Sequence, residues 1–457
     1  MKQPPLLAKL NIFDATLLVI GSVIGSGIFL TSGIIAHSLP SASWILLVWI
    51  LGAVLSLFGG LTLAELGAMM PEAGGQYVYL RAAYGPSAGF MFGWTTFLIT
   101  QTGGIAALAV GFAEYLAHFF PQLSLSHAIC TWQGIIISSG QLVAVIAILV
   151  LTLINYYGIR SGSTVQNIFT ILKILAIAAL LFAGLFATSH VSTEIPKADS
   201  NPLPTGSALF AAIGVALIAV LWTFDGWYSV NAVASEIKSP GKNLPLSLIL
   251  GISFIGIIYL LINTFYLRAL PIDEMAGVVR IGEKAATSMF GMSAGSALAA
   301  LILISILGCL SATILFGPRI YYAMAKDGLF FKSFATVHKK HHSPSIAIVW
   351  QGIWSSILCL SGSYEQLYTY VIFATLIFFM ASALAVFILR RKIPDAPRPY
   401  RVWGYPAVPI LFGLSMLFIA VNSLLEKPVE SLIGIFIILI GLPVYWYWQR
   451  NDQKREQ

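Results

Sequence analysis

Three stretches of this chain hold residues whose types and spacing could do chemistry. The first reads Gly21-Ser22-Val23-Ile24-Gly25-Ser26-Gly27-Ile28-Phe29, three glycines within seven positions of an otherwise apolar run. The second reads Thr223-Phe224-Asp225-Gly226-Trp227, again a glycine beside polar residues halfway along an apolar run. The third is Lys173, a lone cation inside the sequence FTILKIL. Glycine costs a helix interior about 1 kcal/mol relative to alanine, so the first two stretches are places where a helix can break. A break leaves N–H groups free on one half and C=O groups free on the other. The N–H groups at Gly25, Ser26 and Gly27, at the positive end of a helix dipole, suit a carboxylate. The carbonyls near Val23 and Ile24, and those near Thr223 and Phe224 beside Asp225 and Gly226, suit an ammonium group. Donors and acceptors a few ångströms apart match the two charged ends of a small zwitterion. Gly21 and Gly25 alone would form a small-residue pair that packs helices; Gly27 and the matched stretch at 223–227 favour breaks.

The elements that must position these residues are membrane-spanning helices. Of the 457 residues, 58% are hydrophobic and only 9% charged, and the mean hydropathy is +0.87. Soluble domains carry roughly 25% charged residues, so lipid is the solvent for most of this chain. Apolar runs of about 20 residues recur, the length that crosses the hydrocarbon, without the alternation of barrel strands. The pattern predicts an all-α integral membrane protein with twelve spans near 12–36, 42–69, 87–118, 134–157, 163–187, 206–235, 245–269, 292–324, 345–362, 366–389, 407–425 and 430–448. With the N-terminus inside, 19 of the 25 Lys and Arg residues fall on the inner side, five outside, and Lys173 within a span. The positive-inside rule then places both termini in the cytoplasm. The formal charge of +7 is therefore topological and argues against nucleic acid as a partner; the bilayer is the expected one. No signal peptide with a short apolar core and a small-residue cleavage site is present.

Matched interruptions in two halves point to an inverted repeat. Residues 12–187 (helices 1–5) form the first repeat and 206–389 (helices 6–10) the second, with 407–448 (helices 11–12) appended, all in one transmembrane domain. An unwound stretch in mid-membrane is tolerated only where it lines a cavity. Lys173 sits roughly 15 Å from the start of its span at 1.5 Å per residue, too deep to snorkel, and an intramembrane charge is a functional candidate.

Four motifs in order, IGSGIF in the first span, PEAGGQYVYL at 71–80, FDGW at 224–227 and SEIKSPGKNLP at 235–245, resemble those of the amino acid–polyamine–organocation superfamily. Within it the chain is most similar to bacterial members of the L-type amino acid transporter family, and the likeness covers nearly the whole sequence. The resemblance implies a LeuT-like fold with helices 1 and 6 unwound at the midplane. It also implies a substrate site between those helices and alternating-access transport, commonly as a sodium-independent exchanger. It implies that Lys173 takes the place of a sodium ion and braces helix 1 against helix 8, with Thr313 or Ser311 as helix-8 partners. Tyr259 matches a family tyrosine whose hydroxyl lies near the substrate carboxylate. The expected substrate is a small or medium neutral L-amino acid. Proton-coupled symport of an amino acid or polyamine, with Lys173 cycling its proton, is the alternative. No obligatory heavy-chain partner is expected.

Other chemistries lack their residues. HExxH, GxSxG and P-loop sequences are absent, which argues against an enzyme and a primary pump. Cys130, Cys309 and Cys359 have no metal-ligand spacing, so neither a metal nor a cofactor is expected. His338-Lys339-Lys340-His341-His342 reads as inner-side charge. Glu65 and Glu114, near span ends, are assigned structural or solvated roles. Phe224 and Trp227 are aromatic candidates for lining or gating the cavity.

Overall fold

The computed structural model describes residues 8, 10–132, 135–156, 159–186, 203–338, 343–361 and 364–456. In chain order the helices are α1 (Ile12–Val23), α2 (Gly27–Ser38), α3 (Ala42–Met69), α4 (Gln76–Tyr84), α5 (Pro86–Thr95) and α6 (Gln101–Leu116). A hairpin of β1 (Ala128–Trp132) and β2 (Ile135–Ser138) follows, then α7 (Ser139–Tyr156), α8 (Ile159–Phe186), α9 (Ser207–Phe224), α10 (Ser229–Ala232) and α11 (Pro240–Ala269). The remainder are α12 (Ile272–Met275), α13 (Ile281–Phe290), α14 (Met292–Lys326), α15 (Ser345–Cys359), α16 (Tyr364–Lys392), α17 (Ala407–Glu426) and α18 (Pro428–Glu456).

Among the described residues, ten helices are long and apolar enough to cross a membrane, or eleven when α1 and α2 count as one span bent by 45°. The expected span at 345–362 is the short apolar helix α15, fifteen residues long. The expected span at 134–157 begins late. Residues 135–138 are a strand paired antiparallel with β1, and the helix starts at Ser139. Three consecutive isoleucines, Ile135 to Ile137, favour the extended chain. The expected span at 206–235 is helical only to Phe224, where the second break falls.

Outward faces are apolar, as lipid requires. Along α17, Ile410, Leu414, Phe418, Val421 and Leu425 recur at three- or four-residue spacing and are exposed, while Phe412, Met416, Ile419 and Asn422 face inward. Polar pairing concentrates at helix ends. Glu65, at the end of α3, accepts from Arg390 Nε (2.8 Å), Arg390 Nη2 (2.6 Å) and the Val402 N–H (2.8 Å). That clamp ties α3 to α16 and the segment beyond it, in keeping with the structural role expected of this carboxylate. Arg319 pairs with Glu236 at 3.1 Å, and Arg81 with Asp327. α5 runs into α6 through a π-helical turn, Thr96–Thr100. That turn carries one more residue than an α-turn and lies beside the cavity described next.

Candidate functional site: a cavity at two broken helices

α1 starts with a capping box, Asn11 and Asp14 bonding each other's backbone N–H, and runs apolar to Val23. Ile24, with ψ near 90°, leaves the helix. α2 restarts at Gly27 with no side-chain cap from Ser26. Its first-turn N–H groups therefore lack the hydroxyl partner that a Ser at this position ordinarily supplies. α9 stops at Phe224, Asp225 is extended, and Gly226 takes φ +105°, a conformation natural to glycine alone.

The two breaks face each other. The Ser22 hydroxyl donates to the Gly226 carbonyl at 3.1 Å, and Thr31 Oγ1 lies 2.9 Å from Thr223 Oγ1. Gly27 passes so close to α9 that a Cβ there would stand 2.9 Å from the Thr223 Cα. Between the breaks lies a small cavity of about 40 Å³. Ser22, Val23, Gly25, Ser26 and Gly27 line it from the first broken span, and Trp222, Thr223, Asp225, Gly226, Tyr228 and Ser229 from the second. Thr100, Gln101, Gly104 and Leu108 complete it from the π-turn and α6, with Cys309 and Thr313 from α14. The Gln101 amide donates to the Thr313 carbonyl at 2.6 Å and ties those two walls together.

Lys173 lies in α8, 4% exposed. Its Nζ reaches the carbonyls of Ile24 (2.7 Å), Gly21 (3.3 Å) and Ser305 (3.4 Å). An ammonium has three protons to donate and here finds three acceptors, which offsets the cost of burying it. The amine thus joins the end of α1 to α14. The α14 partner is Ser305; Thr313 bonds the Cys309 carbonyl and lines the cavity, while Ser311 accepts from Asn155. The sequence expectation for those two residues as partners is corrected accordingly.

The carbonyls at the first break are already engaged. Ile24 O receives Lys173 and, at 3.4 Å, the Ser305 hydroxyl. Val23 O and Thr223 O both receive the Tyr259 hydroxyl, at 3.2 and 3.1 Å. Tyr259 is fully buried and outside the cavity lining, so here it clips the two broken spans together. Phe224 is also away from the lining, packed against Trp49 and Tyr259. Asp225 lines the cavity beside Gly226 and Tyr228. Sequence reasoning missed Thr100, Gln101, Leu108 and Trp222; Thr, Leu and Trp are common in apolar helices, and the one signal that could have found the wall is the Gln101 amide in an apolar stretch.

Among the described residues, no group of three His, Cys, Asp or Glu is placed to hold a metal. The histidine-rich stretch at 338–342 lies outside the described residues except for His338. Cys130 is exposed and free.

A multi-pass bundle with a small cavity of mixed polar and apolar lining, built on two broken spans, defines a membrane transporter. The chain belongs to the amino acid permease family, whose pattern matches residues 10–446. It is 33% identical over 445 residues to the serine/threonine exchanger SteT of Bacillus subtilis, covering 96% of each chain. It is 27% identical over 451 residues to the mouse b(0,+)-type amino acid transporter 1, covering 98% of this chain and 89% of that one. Identity to the human large neutral amino acids transporter small subunit 2 is 29% over 460 residues, covering 97% and 82%.

Proposed function

We propose that this protein exchanges small or medium neutral L-amino acids across the cell membrane by alternating access, without sodium and as a single subunit. The observation that carries this reading is the start of α2, uncapped by a side chain, beside the cavity between the two breaks. Its N–H groups would take the substrate carboxylate, and the carbonyl edge of the second break, with Asp225, would take the amine. Lys173 bridges α1 and α14 as a fixed cation, which removes the need for a metal ion at that point. A relative named as a serine/threonine exchanger supports the mode and the substrate size.

The architecture we assign is a LeuT-like fold of twelve spans, with α15 as a short one and both termini cytoplasmic in the inner membrane. Residues 12–187 and 206–389 form the two inverted repeats and 407–448 follows them. The paired breaks support this, as does the meeting of the third and eighth spans at the cavity, where the Gln101 amide bonds the Thr313 carbonyl.

The test uses the purified chain in proteoliposomes. Labelled serine uptake should require amino acid inside the vesicle, persist when choline replaces sodium, and survive collapse of a proton gradient. Uptake into empty vesicles driven by a proton gradient would replace exchange with symport. Competition by each of the twenty amino acids fixes the substrate range.

A further inference from the structure

Trp222 lies two residues before the end of α9, and Tyr364 is the first residue of α16. The Tyr364 hydroxyl accepts the Trp222 indole N–H at 2.8 Å and lies 3.2 Å from the Ser26 hydroxyl. Tyr368, one turn further along α16, stacks on Trp222 with ring centroids 5.9 Å apart and planes 20° apart, and it meets Tyr364 edge-on. All three rings are buried. Ser26 and Trp222 line the cavity, so Tyr364 closes over its wall from outside the lining.

The chemistry of the link is tight. An indole can only donate, and a phenol that accepts from it still has a proton for Ser26. α2 and α9 are already fastened to each other through Thr31 and Thr223. Separation of α16 from this pair would therefore break both Tyr364 bonds at once. Ser26 has a hydroxyl free for this role because it does not cap α2.

We propose that Tyr364 is a positioning residue for transport: by holding Ser26 and Trp222 it shuts the cavity toward the face where α16 begins, the outer face in the topology proposed above. Its release is the step that opens that path. The meaning of this closure for exchange rests on the proposed function, but the closure itself can be read without any substrate.

Cys309 is a native reporter, because this residue lines the cavity with its thiol on the Ser22 carbonyl at 3.1 Å. Cys359 is buried against the Ala106 carbonyl, and exposed Cys130 is removed as Cys130→Ser. In that background, right-side-out vesicles free of amino acid are treated with a membrane-impermeant maleimide. External labelling of Cys309, checked by its loss in Cys309→Ser, is expected to rise roughly fivefold to tenfold in Tyr364→Phe, the shift that loss of a buried hydrogen bond produces. Trp222→Phe, which keeps a ring and removes the donor, should act in the same direction. Unchanged external labelling in both variants overturns the proposal. So does an equal rise for reagent supplied from the inner face, which would mean general loosening. Either result would leave amino acid exchange standing, and failure of exchange in the unmodified protein would leave the labelling readable.

Discussion

The two breaks do the same thing to a helix and are held in different ways. At the first, every carbonyl from Gly21 to Ile24 with the potential to face a ligand receives a donor from another helix: Lys173 at Gly21 and Ile24, the Cys309 thiol at Ser22, and Tyr259 at Val23. The start of α2 has no side-chain cap, and within it the Phe29 N–H turns back to the Ser26 carbonyl at 3.1 Å. At the second, an ionisable side chain, Asp225, faces the cavity beside a glycine at positive φ. On the proposed function, the first break would grip the carboxylate that all amino acids share, and the second would offer side-chain chemistry that can distinguish them.

Substitutions should separate the two roles. The largest effect is expected from Lys173→Ala, which strips the donor from three buried carbonyls and unties α1 from α14. A loss near 3 kcal/mol in transition-state terms is at least about a hundredfold in rate, so proteoliposome exchange should fall by that factor while the protein still inserts and elutes as one species. Normal exchange by such a variant would end the idea that the first break is held by this amine. Gly226→Ala comes next. Left-handed backbone costs a residue with a Cβ about 1–2 kcal/mol, and that Cβ would stand 2.8 Å from the Ser22 carbonyl oxygen. Thermal unfolding in detergent should shift down by several degrees, with exchange strongly reduced.

Tyr259→Phe should be milder. It removes one hydroxyl from two buried carbonyls, a loss of about 1–3 kcal/mol, visible as lower thermal stability and slower exchange at unchanged specificity. The smallest effect on folding is expected from Asp225→Asn. Exchange of neutral substrates should persist, and the competition profile should move several-fold against cationic amino acids. A flat profile across all twenty would remove the division of labour between the breaks.

Much of this was legible in the sequence. The breaks show because glycines and polar residues interrupt apolar runs, and Lys173 shows because a charge in mid-span has few reasons to exist. The partner of Lys173 was not legible. Ser305 and Ser311 are six residues apart, so at about 100° per residue they point to different sides of α14, and Thr313 lies roughly 12 Å further along. Choosing among them requires the rotational phase of a 35-residue helix, which a single sequence does not supply. The roles of Val23 and Ile24 were half legible: their carbonyls are free of helical bonds, as expected, but tertiary packing delivers Tyr259 and Lys173 to them. Trp222 and Tyr364 were hidden because an aromatic in an apolar helix ordinarily signals packing. Twelve spans were counted from hydropathy alone, and hydropathy does not distinguish a strand of three isoleucines from the start of a helix.

The π-helical turn at Thr96–Thr100 has a consequence for how such a pocket changes over generations. A turn that holds one residue more than an α-turn absorbs that residue locally, so Gln101, Gly104 and Leu108 keep the facing that a regular helix would give them. Losing one residue there would regularise the turn and leave that cavity wall in place, whereas the same loss within the regular part of the helix would rotate everything beyond it by about 100°. The bulge is thus a spot where the chain can change length without dismantling the pocket.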